Sequence, residues 1–337
     1  MFYKKKHIIS ARHFSREDLI TAFRKSDYIR EMMTSSLGRR QLAETLKHSD
    51  GRPWRAKIMF DEPSTRTMES FLEACDTLGA KWRTNTNMKQ TSSMAKGESL
   101  EDTVDMSALY GYDVLIFRHD GREKNAMRRA ADTMEAYGHP TSIISAGEGN
   151  VEHPTQMVLD LYTVWREFGD EMEHGKLTYA FVGDIADSRT IHSDIIALRN
   201  FGGTVFTVSS RDNNLPKKIL HYRGKSPVQL SVTKMESWEE IASEVDVWYF
   251  TRLQHERKSA PPNPEFEKQY ITAYGVNDHF LSEIRRSAII MHPLPRGGEI
   301  SGKYPSLADS RIVYRKQVYN GWICRMALLS LLREARQ

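Results

Sequence analysis

Apolar residues in this chain follow two patterns, short continuous runs and longer segments with helical spacing. Short apolar runs bounded by polar residues are typical of buried strands, whereas apolar residues every three to four positions are typical of helices. The two patterns alternate, and the short runs fall into two series. The first covers residues 56–60, 80–84, 112–117 and 141–145, and the second covers 177–184, 204–209, 229–233, 245–250 and 287–291. This alternation predicts an α/β fold with two domains, each a parallel sheet flanked by helices.

Helices at four places frame the two series. Ser15 begins the first, because Ser-Arg-Glu-Asp there resembles a capping box. Residues 34–54 are polar, with Gly and Pro near the end, and predict a short helix and a surface loop. Apolar residues at helical spacing over 153–169 predict a helix that bridges the domains, and residues 319–337 predict a final amphipathic helix. We therefore expect one domain over 1–154, completed by the final helix, and a second over 155–318.

The stretch from Phe60 to Gly79 combines a strand end, a polar turn and a helix. Apolar residues recur at helical spacing from Met68 to Leu78, and Gly79 ends the helix. Three hydroxyl side chains and Arg66 precede that spacing, where backbone N–H groups lack intrahelical partners and the helix dipole is positive. This arrangement suits a bound phosphate group. An ordinary Ser/Thr helix cap beside a surface arginine explains the same residues equally well.

Residues 83–99 do not fit the alternation of strands and helices. The segment Arg-Thr-Asn-Thr-Asn-Met-Lys-Gln-Thr-Ser-Ser-Met-Ala-Lys-Gly-Glu-Ser is polar and lacks periodicity. A loop of this length inside a compact domain is usually functional or disordered. We expect a long loop here, either functional or a surface excursion.

Composition and charge disfavour several classes of protein. The chain has 337 residues and a net charge of +4, and its lysines and arginines are scattered among acidic residues, which disfavours nucleic-acid binding. It has no apolar run of about 18 residues and no charged-then-apolar leader, so we expect a cytoplasmic protein without a membrane span. Cys75 and Cys324 lie in apolar helical patterns and predict reduced core thiols. No Cys or His spacing indicates a metal site.

A dinucleotide site is disfavoured at the start of the second series. The segment 181–198 has the order strand, turn and helix, but it lacks the pattern Gly-x-Gly-x-x-Gly. Its turn offers Asp184, Asp187 and Arg189 where a pyrophosphate would need bare glycine backbone.

Arginine and histidine follow nearly every predicted strand. Ligands of open parallel sheets bind beyond the carboxyl ends of the strands, and guanidinium groups suit carboxylate and phosphate. The residues at these exits are Arg66, Arg118 and His119, His153 and Gln156, Arg189 and His192, Arg252 and Gln254, and His292 to Arg296. We expect two anionic substrates in a cleft between the two sheets. His153, next to Pro154, could polarise a substrate or could be a structural histidine.

Four motifs together resemble the aspartate/ornithine carbamoyltransferase family. They are Ser-Thr-Arg-Thr at 64–67, His-Pro-Thr-Gln at 153–156, Thr-Arg-Leu-Gln at 251–254 and His-Pro-Leu-Pro at 292–295. The resemblance extends from His7 to Asn320-Gly321 and the final helix. The tetrad at 292–295 and the arginines of the second half match the aspartate branch of the family, whereas ornithine-type members have His-Cys-Leu-Pro.

The resemblance implies a carbamoyl phosphate site in the first domain. Its ligands would be Ser64, Thr65, Arg66, Thr67, Arg118, His153 and Gln156, with Ser92 and Lys96 supplied by a neighbouring subunit. Arg66, Thr67, Arg118, His153 and Lys96 would take part in catalysis. The implied assembly is a homotrimer with shared active sites. Some members of the family also bind regulatory chains, and the sequence leaves this open.

The resemblance also implies an L-aspartate site in the second domain and a transfer without cofactor or metal. Its ligands would be Arg189, Arg252, Gln254, Pro293, Leu294 and Arg296. The reaction would carbamoylate the α-amine of L-aspartate. A different amino-acid acceptor, or a non-catalytic member that acts in assembly, are the alternatives. The chain departs from the family pattern at Met68, at Gly297-Gly298 and in the long segment 34–54.

Overall fold

The computed structural model describes residues 6–88, 93–224, 228–253 and 264–336. The chain divides into two compact units. The first comprises Met1–Leu159 and Asn320–Gln337, and the second comprises Asp160–Tyr319. Both boundaries fall within helices, since one helix runs from Pro154 to Phe168 and the last runs from Tyr314 to Glu334.

The first unit contains a parallel sheet of four strands among its described residues. The strands are β1 (Arg55–Phe60), β2 (Lys81–Thr86), β3 (Val114–His119) and β4 (Ser142–Glu148), in the order β2-β1-β3-β4. The helices are α1 (Arg16–Met32), α2 (Ser36–Leu42), α3 (Thr65–Thr77), α4 (Leu100–Leu109), α5 (Ala126–Ala136) and α6 (Pro154–Phe168), with the final helix α12 (Tyr314–Glu334) shared with the second unit. The strand order reverses direction between β1 and β3, which is where ligands of such sheets bind.

The second unit contains a parallel sheet of five strands among its described residues. The strands are β5 (Thr178–Val182), β6 (Gly203–Val208), β7 (Leu230–Met235), β8 (Val247–Phe250) and β9 (Ile289–Met291), in the order β7-β6-β5-β8-β9. The helices are α7 (Asp170–Glu173), α8 (Arg189–Leu198), α9 (Lys217–Leu220), α10 (Pro264–Tyr274) and α11 (Asp278–Glu283). Here the order reverses between β5 and β8.

These two sheets confirm the predicted fold class. The strands are nearly continuous apolar runs because helices cover a parallel sheet on both faces, and β3, β4 and β8 are buried along their whole length. The predicted start of α1 is confirmed: Ser15 accepts a hydrogen bond from the Asp18 N–H, and the Asp18 carboxylate accepts one from the Ser15 N–H. Both cysteines are free and buried.

Two boundaries differ from the sequence prediction. The loop expected from Arg83 begins later, because β2 continues to Thr86 and pairs residue by residue with β1. Polar residues are tolerated there because β2 is an edge strand whose backbone partner, rather than its side chains, holds it in place. The last helix begins at Tyr314, five residues before the predicted start at 319.

Across the described part of the chain, no helix combines the length and the apolar character needed to cross a membrane. The same ranges contain no group of three or more His, Cys, Asp or Glu residues placed to hold a metal ion.

Candidate active site

The start of α3 lies directly beyond the end of β1. Ser64 is the N-cap residue, and the first turn Thr65-Arg66-Thr67 carries no acidic side chain. Among the described residues, the Ser64 side chain makes no capping hydrogen bond. The first backbone N–H groups of a helix have no intrahelical partner, so this helix start combines amide donors and hydroxyl groups with the positive end of the dipole. Partial burial lowers the pKa of the Arg66 guanidinium, with Glu69 nearby opposing the shift.

Arg118 lies on the strand next to that helix start. Its Cα partner across the sheet is Phe60, the last residue of β1, and its carbonyl oxygen accepts a hydrogen bond from the Asp61 N–H at 2.9 Å. Its side chain is 8% exposed and contacts the Glu62 carboxylate, with Nη2 to Oε2 at 3.2 Å. A buried guanidinium beside the point where the strand order reverses suits an anion. In this structure the Glu62 carboxylate contacts it.

His153 follows β4 at the start of α6 and is 3% exposed. The backbone N–H of Gln156 lies 3.4 Å from its Nδ1. The Thr155 hydroxyl lies 3.5 Å from the same nitrogen, and the Gln156 N–H also donates to the His153 carbonyl oxygen at 3.0 Å. In either neutral tautomer the ring carries one N–H donor, which is the group needed to polarise a carbonyl oxygen.

The backbone before His153 is held by its neighbour Glu152. The Glu152 carboxylate accepts hydrogen bonds from the Ser10 hydroxyl, the Ala11 N–H and the Arg12 guanidinium at 2.8, 2.7 and 3.2 Å. The first unit thus brings the predicted residues 64–67, 118, 153 and 156 to the carboxyl ends of adjacent strands.

In the second unit Arg189 and Arg252 flank the reversal of strand order. Arg189 is the first residue of α8 and is 8% exposed, and Arg252 follows β8 with its guanidinium donating to the Leu253 carbonyl at 3.0 Å. The two exits are packed tightly, since a Cβ added to Gly183 would lie 2.3 Å from the carbonyl oxygen of Thr251. Gly183 also has φ +124°, so only glycine fits this crossing.

In the turn after β9, polar groups of the turn form hydrogen bonds with one another. Leu294 has φ +60°, in the left-handed region that a branched side chain rarely adopts. His292 accepts a hydrogen bond from the Leu294 N–H at Nδ1, 2.8 Å, and its Nε2 lies 2.6 Å from Glu299 Oε1. Burial raises the pKa of Glu299, but its hydrogen bonds with His292 and with the Gly297 N–H bring the pKa below its usual value.

Arg296 is engaged by its own turn. Its guanidinium lies 4.9 Å from the ring centre of Tyr314 and donates to the carbonyl oxygens of Ile300 and Ser301 at 3.3 and 3.2 Å. Pro293 and Leu294 are half-buried. The role predicted for Arg296 in acceptor binding stays a prediction.

The unusual Gly297-Gly298 pair is explained by packing. A Cβ on Gly298 would lie 2.3 Å from Cδ1 of Ile271 in α10, and a Cβ on Gly297 would lie 2.7 Å from Glu299 Oε2. At both positions a larger residue would require the end of the Ile271 or Glu299 side chain to move.

Lys96 and Ser92 are the residues predicted to act from a neighbouring subunit. Lys96 is exposed at the end of a single 3₁₀ turn, Ser93–Lys96, and forms no hydrogen bond or ion pair with any described residue. Ser92 and Gln254 lie outside the described residues.

Two acidic residues beside the predicted ligands were missed in the sequence. Glu62 contacts Arg118, and Glu299 contacts His292. Glu62 stands between β1 and α3, so its place at a strand exit was the available signal. Glu299 is seven residues from its partner across an irregular turn, and no periodicity links the two.

Two family profiles match the chain in sequence order. The profile of the aspartate/ornithine carbamoyltransferase carbamoyl-P binding domain matches residues 6–166, and that of the Asp/Orn binding domain of the same family matches residues 175–332. The resemblance inferred from the motifs is thereby confirmed.

Curated relatives match along nearly the whole chain. The aspartate carbamoyltransferase catalytic subunit of Methanothrix thermoacetophila is 34% identical over 336 residues, covering 98% of this chain and 99% of the relative. The chloroplastic aspartate carbamoyltransferase of Arabidopsis thaliana is 37% identical over 330 residues, covering 96% and 77%.

Solved structures give the same result. The catalytic subunit of aspartate transcarbamoylase from Methanocaldococcus jannaschii matches with a TM-score of 0.81 and 32% identity, covering 97% of this chain and 98% of that chain. The enzyme of Trypanosoma cruzi in complex with carbamoyl phosphate and aspartate matches with a TM-score of 0.81 and 28% identity, covering 97% and 95%. Both domain profiles match, and relatives at least 34% identical are covered over 77–99% of their own length, so the chain belongs to the aspartate/ornithine carbamoyltransferase family.

Proposed function

We propose that this chain transfers the carbamoyl group of carbamoyl phosphate to the α-amine of L-aspartate, a reaction of pyrimidine biosynthesis. The observation that carries the proposal is the placement of the predicted ligands. In each sheet they stand where the strand order reverses, with Arg66 and Arg118 in the first unit and Arg189 and Arg252 in the second. The full-length relatives named as aspartate carbamoyltransferases, one of them solved with both substrates, support the same reaction.

In the first unit, the start of α3 and the two arginines bind the phosphate group. Residues 64–67 contribute hydroxyl and amide donors, and the planar guanidinium forks of Arg66 and Arg118 each offer paired hydrogen bonds. Gln156 and the His153 N–H complete the site on the carbamoyl side. We assign the first unit to carbamoyl phosphate and the second unit to L-aspartate.

The chemical step is a direct displacement. The neutral amine nitrogen of L-aspartate bonds to the carbamoyl carbon, the bond from that carbon to the phosphate oxygen breaks, and the departing phosphate takes the amine proton. The products are N-carbamoyl-L-aspartate and phosphate. His153 donates its ring N–H to the carbamoyl oxygen as negative charge develops, together with Thr67 and Arg118. Each such donor typically contributes about 3 kcal/mol at the transition state.

In the second unit, Arg189, Arg252 and Gln254 bind the two carboxylates of L-aspartate, and Arg296 adds positive charge. The backbone carbonyl of Leu294, between Pro293 and Pro295, orients the attacking amine. No cofactor or metal takes part in this scheme.

An acceptor panel tests the reaction. With carbamoyl phosphate saturating, we expect carbamoylation of L-aspartate and none of L-ornithine, because two arginines require a second carboxylate on the acceptor. Product formation would be followed by mass spectrometry. Equal rates with both amino acids would reject the assignment of acceptor, and absence of transfer to any amino acid would favour a non-catalytic role in assembly.

We further propose a homotrimer in which Lys96 acts across the subunit interface. Its exposed position, without a partner among the described residues, supports this role. Chains carrying Lys96→Ala would be mixed with chains carrying Arg66→Ala after gentle dissociation. In mixed trimers some interfaces pair an intact Lys96 with an intact Arg66, so activity should recover. If mixed trimers form, by native mass spectrometry, without any recovery, Lys96 does not act in trans.

A further inference from the structure

A chain of buried hydrogen bonds in the second unit ends at the turn after β9. Its members are Asp160, Gln317, His292 and Glu299, which are 2%, 1%, 1% and 4% exposed. None of them is among the predicted ligands of either substrate. Buried polar networks of this kind fix geometry when every member is satisfied.

The direction of each hydrogen bond can be assigned from the ends inward. Asp160 accepts from the Tyr249 hydroxyl at 2.8 Å and from Gln317 Nε2 at 2.6 Å. This orients the Gln317 amide so that its Oε1 accepts from the backbone N–H of His292 at 2.9 Å. Asp160 therefore fixes the side chain that holds the backbone of His292.

A second buried carboxyl, that of Asp194, interacts with Asp160. Burial and the charge of Asp160 raise the pKa of Asp194 well above its usual value.

The His292 ring connects two points of the turn. Its Nδ1 accepts from the Leu294 N–H, so the neutral ring carries its proton on Nε2 and donates to Glu299 Oε1. The same carboxylate oxygen accepts from the Gly297 N–H at 2.8 Å. The His292 ring thus holds the backbone of Leu294 directly and that of Gly297 through the Glu299 carboxylate.

The conformation at Leu294 needs such support. A leucine at φ +60° is disfavoured, and residues in this region persist only where their surroundings determine them. The N–H of Leu294 is directed at His292, and the N–H of Gly297 is held by the Glu299 carboxylate that His292 contacts, so the Leu294 carbonyl lies between two backbone points that this network fixes.

We propose that His292 is a positioning residue for the acceptor, held by Gln317 and Glu299, and that it fixes the Leu294 carbonyl that receives the acceptor amine. This inference rests on the proposed function. His292 acts on the amino-acid half of the reaction and leaves the carbamoyl phosphate half unaffected.

The test separates the two hydrogen bonds of the ring. In His292→Asn the side-chain oxygen can still accept from the Leu294 N–H, since an asparagine amide reaches about as far as Nδ1, but the contact with Glu299 is lost. In His292→Ala both contacts are lost. Gln317→Met removes the support from Asp160 while keeping the length of the side chain. Asn277→Ala, which removes the N-cap hydrogen bond of α11 to the Phe280 N–H, is the control for a loss of stability alone in the same unit.

The measurements are the KM for L-aspartate, kcat, the melting temperature and the Kd for phosphonoacetamide, a non-transferable analogue of carbamoyl phosphate. For His292→Ala we expect the KM for L-aspartate to rise about tenfold or more, with the Kd for phosphonoacetamide within about twofold of that of the unmodified chain. His292→Asn should recover part of the loss, and Gln317→Met should lie between the two. Asn277→Ala should lower the melting temperature without changing the KM.

Several results would overturn the inference. One is an unchanged KM for L-aspartate in folded His292→Ala. Another is a parallel loss of phosphonoacetamide binding, or an equal KM rise in Asn277→Ala, because either would show a general structural role. Failure of all three network variants to fold would show the same. If the unmodified chain itself does not carbamoylate L-aspartate, the proposed function fails first, and that result is seen before any variant is made.

Discussion

The two units place their ligands in different ways. In the first unit the binding groups belong to the elements themselves, since backbone amides start α3 and Arg118 is part of β3. In the second unit the turn after β9 is irregular, and a buried hydrogen-bond network surrounds Leu294, which has a disfavoured backbone conformation. On the proposed assignment, regular elements bind a tetrahedral anion, whereas an irregular turn receives the amine that must be aimed at a carbon.

Glycines are packed tightly at the strand exits of both units, and in the first unit a Cβ added to Gly121 would lie 2.5 Å from the Cα of Gly149. Several glycines in the second unit lie against other atoms, among them Gly183 against Thr251 and Gly298 against Ile271. The helix start of the first unit contains no glycine and leaves Thr65 and Arg66 exposed. The tight packing thus lies at the strand exits of both units rather than at the start of α3.

The largest expected effect is the loss of Arg66. Arg66→Ala should lower kcat/KM by roughly 30- to 1000-fold, or about 2–4 kcal/mol, because a charge-assisted donor to the phosphate is removed. The KM for L-aspartate should change little. Steady-state kinetics with each substrate varied would measure both.

Arg128→Ala is the matched control for Arg66, since Arg128 is an exposed arginine paired with Asp132 one helical turn away. Its effect should stay below about 1 kcal/mol. Near-normal turnover in folded Arg66→Ala would remove this arginine from the site.

A smaller effect, on the other substrate, is expected for Arg252. Arg252→Gln keeps an N–H donor but shortens the side chain and removes its charge, so the KM for L-aspartate should rise roughly 10- to 100-fold, from about 1.5–3 kcal/mol of lost interaction. The Kd for phosphonoacetamide should be unchanged. A variant in which both constants shift together would contradict the separation of the two half-sites.

The smallest effect concerns packing at the glycine pair. Gly298→Ala should lower the free energy of unfolding by about 1–3 kcal/mol, because the new Cβ meets Ile271 Cδ1. Adding Ile271→Val removes that methyl group and should restore part of the loss. Urea unfolding of both single variants and the double variant would measure the coupling, and additive effects would show that the two side chains do not compete for space.

Much of the fold could be predicted from the sequence. Buried parallel strands are continuous apolar runs, so their positions were readable, and the cap at Ser15 is set by neighbouring residues. The edge strand β2 was cut short in the prediction at Thr84, because its exposed polar residues carry no period. Backbone pairing with β1 decides its length, and that information is not in its own side chains.

Strand exits and motifs made the positions of the candidate site residues predictable. The side-chain partners of those residues could not be predicted. Nothing in the sequence couples Glu299 to His292, or Gln317 to the backbone of the same residue, because these contacts arise from irregular backbone between distant positions. The engagement of Arg296 with Tyr314 could not be foreseen for the same reason.

The ion pair between Arg118 and Glu62 gives the phosphate site a built-in competitor. A ligand of Arg118 competes with a carboxylate of the same chain, because Glu62 Oε2 lies 3.2 Å from Nη2 of the guanidinium. A weakly bound monoanion gains little from that exchange, because it replaces one single charge by another. A phosphate dianion that also reaches the start of α3 gains both the second charge and the helix amides. Neutralising the competitor with Glu62→Gln would thus strengthen the binding of every anion but narrow the margin between the substrate and common monoanions such as chloride.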